Sequence, residues 1–321
     1  MNRLIVRRAL PAAAVLMLGL SGCGGNNESS GSSSGSVSGE IVVDGSSTVQ
    51  PLTAAAGELF KQENPDVNVS VGTAGTGGGF EVFCQGSTDI SNASRPIEEE
   101  EAAACKQEGI EYTELHVATD ALTVVVSADN NFVTCLTTDQ LATIWAPESE
   151  GKVTTWDQVD PSFPSEPIEL YGPGTDSGTF DYFTDVINGE EGASRTDYAA
   201  SEDDNVIVQG VQGSPNALGY FGYTYYEENQ DTLKAVEIDS GDGCVAPSSQ
   251  AAQDESYAPL ARPLFIYVAN QAAEEKPQVK AFVDFYAQDV TQIAEAAQFI
   301  PLNDEQTTEL QSAAESIAAT G

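Results

Sequence analysis

The sequence predicts an α/β protein of two lobes joined by crossing strands, and three observations carry that expectation. Between Glu40 and Pro96, three short apolar runs each end in a small, hydroxyl-rich loop that leads towards a helical stretch. That alternation marks an α/β chain and sets ligand-binding loops beyond the carboxyl ends of the strands. At 321 residues the length suggests two lobes. Two strongly apolar runs far apart in the chain, residues 121–126 and 263–268, suit buried strands passing between the lobes.

The chain opens on a leader. Arg3, Arg7 and Arg8 precede an apolar run, residues 9–20, that is short for a spanning helix. Leu20-Ser21-Gly22-Cys23 is similar to a bacterial lipobox. Residues 1–22 are therefore expected to be a lipoprotein signal peptide, and Cys23 the lipidated residue. Residues 23–39 read as that cysteine followed by a flexible Gly/Ser tether. A multiply acylated cysteine would hold the protein on the extracytoplasmic face of the cell membrane, in the periplasm or at the cell surface.

Order is expected from Glu40. Residues 41–43 form a strand, residues 44–49 a polar turn, and an Ala-rich amphipathic run continues to Lys61. Residues 67–71 alternate as a strand and end in the Gly-rich run 72–79, which enters a helix at Phe80. Residues 88–90 form a third strand, ending in Ser91-Asn92-Ala93-Ser94-Arg95-Pro96. An exposed acidic helix is expected over 98–107, then strands over 112–117 and 121–126 parted by Thr119-Asp120. Residues 138–145 read as a helix capped by Thr138-Asp139. A strand over 168–171 leads through Gly172-Pro173-Gly174-Thr175-Asp176-Ser177-Gly178-Thr179-Phe180 to a helix over 181–187. Residues 189–205 and 240–258 read as loops and 217–223 as a strand and turn. Residues 263–268 form a strand expected to pair with 121–126, and helices over 276–297 and 304–319 close the chain. The expected division is 40–118 with 263–321 as lobe I, and 119–262 as lobe II.

Charge excludes several partners. The formal net charge is −38, from 12 basic and 50 acidic residues, and three of the basic ones lie in the leader. Such a surface repels nucleic acid and anionic membrane, so no nucleic-acid partner is expected. Four cysteines follow Cys23: Cys84, Cys105, Cys135 and Cys244. In an exported chain an even number favours disulfides. Of the three connectivities, Cys84–Cys105 with Cys135–Cys244 is favoured, the first closing a short loop and the second stapling one lobe.

The loops point to an oxyanion. Helix N-termini present unpaired N–H donors, glycines let backbone approach a ligand, and Ser and Thr add hydroxyls. After the leader the arginines are Arg95, Arg195 and Arg262. Arg95 lies beside hydroxyls at a strand end, where a guanidinium can meet two oxyanion oxygens. Arg195 is a weaker ligand candidate, and Arg262, before a core strand, reads as an inter-lobe or structural ion pair. Catalysis finds little support. His116, the single histidine, sits in a strand-like run, and no Gly-x-Ser-x-Gly elbow or spaced metal-ligand cluster occurs. No cofactor, metal or catalytic residue is expected.

Taken together, Asp44-Gly45-Ser46-Ser47-Thr48-Val49, Gly75-Thr76-Gly77-Gly78-Gly79, Ile90-Ser91-Asn92-Ala93-Ser94-Arg95-Pro96, the stretch from Leu170 to Phe183, and Ser194-Arg195-Thr196-Asp197-Tyr198 resemble the phosphate-binding lipoproteins of bacterial phosphate ABC transporters. The resemblance covers essentially all of residues 40–320. It implies the type II periplasmic binding fold, two lobes closing on inorganic phosphate, and delivery to a membrane permease by a monomer. It also implies a site of the Thr48 hydroxyl and Val49 N–H, the Thr76 hydroxyl, and Ser177, Gly178 and Thr179; Ser47, Gly77, Ser94, Arg95, Asp176 and Arg195 are expected to join them. Many relatives carry an Arg where this chain has Pro173, and another branch has an Asp where this chain has Arg95, so the arginine is expected to be relocated. Asp176 and Asp44 are the expected acceptors of the phosphate proton. A receptor for sulfate or molybdate, and a secreted phosphatase-like enzyme, stand as alternatives.

Overall fold

The two apolar runs that lie far apart in the sequence become part of neighbouring strands in the computed structural model, which describes residues 37–317. The expected signal peptide, the lipidation site Cys23 and most of the tether lie outside the described residues. Twelve strands occur among those described: β1 Gly39–Gly45, β2 Val67–Val71, β3 Ile90–Ala93, β4 Tyr112–Ser127, β5 Cys135–Thr137, β6 Glu169–Pro173, β7 Ala199–Ser201, β8 Ala217–Gly222, β9 Leu233–Ala235, β10 Glu237–Asp239, β11 Cys244–Val245 and β12 Ala261–Ala269. The main sheet runs β2-β1-β3-β12-β4-β8-β6-β7, with β9 also on β4, and β11-β10-β5 form a small second sheet. Strands β1, β2 and β3 are parallel, as are β6, β7 and β8, whereas β12 and β4 run antiparallel to their neighbours. The fold is the two-lobed α/β arrangement with two crossing strands.

Helices follow the strand ends. They include α1 Gln50–Glu63, α2 Thr76–Cys84, α3 Glu99–Glu108, α4 Thr138–Trp145, α5 Gly178–Phe183 and α6 Asp204–Gln212. Pro51 occupies the first turn of α1, where its missing N–H is no loss, and Leu52, Ala56 and Phe60 recur on the buried face. Glu98 and Glu101 form a capping box on α3, and Gly109 ends that helix in the left-handed region at φ 76°.

Two large apolar clusters flank the crossing strands. One gathers Ile41, Leu52, Phe60 and Leu115 with Ile266, Phe282 and Ile293 from beyond β12's midpoint. The other is built from Leu122 onward, with Leu141, Trp145, Trp156, Phe183 and Tyr220. Trp145 meets the edge of Tyr220 at 4.9 Å between centroids, and Phe183 stacks on the same ring at 3.8 Å. Both tryptophans are thus core residues.

Several local expectations change. The run from Tyr112 is one continuous 16-residue strand, with no break at Thr119-Asp120. It is continuous because β12 pairs with it from Ala261↔Ala121 to Ala269↔Tyr112, through Arg262↔Asp120. The partner of residues 263–268 is therefore the first half of β4, and residues 122–126 pair with β8 instead. Helix α4 is capped by Thr137, whose Oγ1 accepts the Gln140 N–H at 3.1 Å, one residue before the expected cap. The stretch read as loop over 189–205 contributes β7, and that over 240–258 contributes β11 and a short helix, Ser249–Gln253. Those pieces are too short to show periodicity.

A third strap crosses beside the two strands. Thr119 and Ile300 exchange backbone hydrogen bonds at 3.0 Å, and Gln298 accepts from Thr224 Oγ1 (2.9 Å) and Tyr225 OH (2.7 Å). Behind it a small cavity of about 120 Å³ is lined by Asp120, Asp204, Tyr223, Tyr225 and Gln298, among others. Burial, with Asp203 and Glu202 adding repulsion, pushes the Asp204 carboxyl up to about 6.

Disulfides join Cys84 to Cys105, between α2 and α3, and Cys135 to Cys244, between β5 and β11. They close loops of sequence separation 21 and 109. Loop-closure entropy makes the longer one worth more, about 4–5 against about 3 kcal/mol. Equilibrium urea unfolding of Cys135→Ser/Cys244→Ser should show the larger loss, and of Cys84→Ser/Cys105→Ser the smaller. A second prediction concerns acid. A carboxyl raised on folding favours the folded state below its unfolded value near 4, and that contribution is lost as pH rises through about 6. The wild type should therefore lose about 2–3 kcal/mol relative to Asp204→Asn between pH 4 and 6. Parallel unfolding curves for the two proteins across that range would refute it.

Candidate functional site

A cavity of about 520 Å³ opens where the strand-end loops face each other. Ser46, Ser47 and Thr48 reach it from the β1–α1 loop, and Ala74 to Gly78 from the start of α2. Ser94, Arg95 and Pro96 follow β3, Gly178, Asp181 and Tyr182 belong to α5, and Arg262 and Pro263 to β12. Asp185, Val186 and Glu191 complete the far wall.

Short-range packing fixes these loops. Asp44 Oδ1 accepts both the Gly45 N–H (2.8 Å) and the Ala74 N–H (2.9 Å), joining the first loop to the Gly-rich one. A Cβ at Gly79 would lie 2.4 Å from the Gly45 Cα, so only glycine permits that approach. Thr76 Oγ1 lies 3.0 Å from Ser94 Oγ and accepts the Ser94 N–H at 3.2 Å, which locks the second loop to the third. Across the cavity, a Cβ at Gly178 would sit 2.8 Å from Thr48 Oγ1. The α5 start and the first loop are in contact.

Of the residues expected at the site, Ser47, Thr48, Thr76, Gly77, Ser94, Arg95 and Gly178 line this one cavity. Val49 does not; its side chain is fully buried, and only its backbone at the start of α1 is available. Ser177 caps α5, its Oγ accepting the Thr179 N–H at 3.2 Å, so its own hydroxyl hydrogen stays free to donate. Thr179 faces the small cavity behind the crossing strands. Asp176 is exposed outside the cavity, with its N–H on Glu202. Asp44 is also off the wall, holding two backbone N–H groups.

Arg195 is a correction. It is buried, with Nε and Nη2 on Asp197 (2.5 and 2.9 Å) and Nη1 on the carbonyls of Ile144 and Val153 (3.0 Å each). Each guanidinium nitrogen thus serves its own surroundings, and the arginine holds the Asp197 carboxyl down at about 2. Arg95 does reach the cavity but is paired there. Glu101 takes it in a two-pronged fork at 2.8 Å and 2.8 Å, and Glu98 lies 3.3 Å from Nε.

Arg262, expected as an inter-lobe or structural ion pair, does pair with Asp120, and it also lines the cavity. Its Nε donates to Asp120 Oδ2 at 3.2 Å, its Nη2 to Thr48 Oγ1 at 3.0 Å, and its guanidinium lies 3.6 Å over the Tyr182 ring. Burial pushes the Asp120 carboxyl up, and the adjacent Arg262 opposes that shift. Asp181 was missed. Burial and then Glu191 raise its carboxyl above the usual range, with Arg262 opposing. The scarcity of arginine was a signal for Arg262; for Asp181, one acid among 50, there was none. His116 donates from Nε2 to the Ala118 carbonyl at 2.9 Å, and burial lowers its pKa. It takes no place in the cavity wall.

The PBP superfamily domain matches residues 30–290 of the chain. Protein SphX of Synechococcus elongatus is 50% identical over 263 residues, 82% of this chain and 77% of that protein. The phosphate-binding protein PstS of Staphylococcus saprophyticus is 43% identical over 300 residues, 93% of this chain and 90% of that one. A crystal structure described as a possible phosphate binding protein from Planctomyces limnophilus superposes with a TM-score of 0.84 at 45% identity, covering 88% of this chain and 99% of that chain. With its strand-end loops gathered round one cleft and likeness along most of its length, the chain belongs to the PBP superfamily, in the family that holds SphX and PstS.

Proposed function

We propose that this protein is an extracytoplasmic solute-binding protein that captures inorganic phosphate in the cleft and delivers it to the permease of an ABC transporter. The observation that carries the reading is one cavity wall made of Ser47, Thr48, Thr76, Ser94, glycine backbone and two arginines. Hydroxyl and N–H dipoles bind an anion without needing a net positive surface. The names borne by the relatives, phosphate-binding protein among them, support the same ligand. Ser177, at the start of α5, supplies a donor as the lobes close.

A monohydrogen phosphate also has a proton to give. We take Asp181 as its acceptor, because it is the half-buried carboxylate on the wall beside Arg262. Sulfate, with no proton, would face that carboxylate unpaired. The lobes are taken as residues 40–118 with 263–321, and 119–262. The division of the two apolar clusters near Ala118 and Leu264 supports that boundary. We further propose attachment through a lipid on Cys23, a monomeric state, and capture without turnover. Hydrolysis of a phosphomonoester would overturn the last.

Calorimetric titration of the phosphate-stripped protein tests the site. Thr48→Val and Thr76→Val should each weaken phosphate binding roughly ten- to 150-fold, the loss of one hydrogen bond to a charged group. Wild-type affinity in both would refute the assignment. Arg195→Gln should behave in the opposite way. It strips partners from Asp197 and two carbonyls, so thermal stability should fall while the folded protein's phosphate affinity holds within about twofold.

A further inference from the structure

Resting on the proposal that the cleft holds phosphate, we infer that Arg262 is the anion's charged anchor and at the same time a tie between the two lobes across the cleft. Its setting distinguishes it from the other two arginines. Arg195 is used up inside one lobe, and Arg95, 36% exposed, is already forked by Glu101. The Arg262 side chain is only 15% exposed, yet among the described residues its Nη1 donates to no protein group, and the residue lines the cavity. A guanidinium carries five N–H donors in a planar fork. Asp120 engages Nε and Thr48 engages Nη2, which leaves Nη1 and the second Nη2 hydrogen for a two-oxygen acceptor such as an oxyanion.

Three contacts aim those donors. Asp120 and Arg262 are directly paired in the β4–β12 ladder, so the carboxylate holds the arginine from the neighbouring strand. The Tyr182 ring supports the guanidinium face from α5. Thr48 Oγ1 accepts from Nη2, which leaves the threonine's own hydrogen to donate to an anion. Thr48 belongs to the first loop and Tyr182 to α5, on opposite walls, so one side chain bridges both. Arg262 reaches the cleft from the crossing strand β12.

The test uses the phosphate-stripped protein and two readouts. Calorimetric titration with inorganic phosphate should show Arg262→Gln weakened roughly ten- to 150-fold. Arg262→Lys keeps the charge beside Asp120, so it guards against loss of folding; lacking the planar fork, it should recover only part of the affinity. Spin labels at Glu58→Cys and Lys152→Cys, both exposed, report the inter-lobe distance by electron–electron resonance. Without phosphate, both Arg262 variants should show a longer or broader distribution than the wild type. Wild-type phosphate affinity in both variants overturns the anchor, and an unchanged distance distribution overturns the tie. If the wild-type protein takes no phosphate, the proposed function fails and the anchor with it, while the distance measurement still decides the tie.

Discussion

The antiparallel ladder between β4 and β12 is the constraint from which the rest of the structure follows. All nine residues of β12 pair with β4, from Ala261↔Ala121 to Ala269↔Tyr112. On one side β12 continues into β3 and the parallel strands behind it; on the other β4 continues into β8, β6 and β7. Two sets of strand-end loops are thereby brought to one cleft. A register slip would turn each side chain of the ladder to the other face. Asp120 and Arg262 would then no longer meet beside the cavity.

How so acidic a chain holds a place for an anion is a matter of distance and burial. Among the described residues only the carboxylates of Asp89 and Asp120 are buried, and the field of the rest is screened within about 8 Å at physiological salt. Inside the cleft the relevant groups are closer than that: hydroxyls, backbone N–H groups at helix starts, and the guanidinium of Arg262. Two of the three arginines after the leader are neutralised by carboxylates that hold them in a fork. Arg262 is bound by Asp120 through Nε alone, and so keeps donors for a ligand. In the proposed function the wall carboxylate Asp181 adds selectivity rather than attraction, since a carboxylate favours an anion that has a proton to share.

The loops were legible in the sequence because their chemistry is local. Glycines, hydroxyls and a strand-to-helix switch sit within a few residues of one another at positions 44–49, 75–79 and 172–180. The cysteine pairing was favoured because one bridge closes a short loop and the other staples one lobe, and both bridges are formed. Arg195 misled because its surroundings, Ser194 and Thr196, look like a binding loop; burial against the Ile144 and Val153 carbonyls gives it a different task.

The sequence by itself determined the order of the main strands, loops and helices and the kind of donors that gather at the strand ends. These depend on neighbours in the chain, where periodicity and turn chemistry operate. Only the tertiary structure decided which strand pairs with which, that Thr119-Asp120 lies within a continuous strand, and which arginine faces the cleft. Arg262 and Asp120 stand 142 positions apart, and Arg262 and Thr48 stand 214 apart. No local pattern specifies contacts at that separation. They arise when burial of the two apolar clusters fixes the β4–β12 register and carries the side chains of that ladder into place.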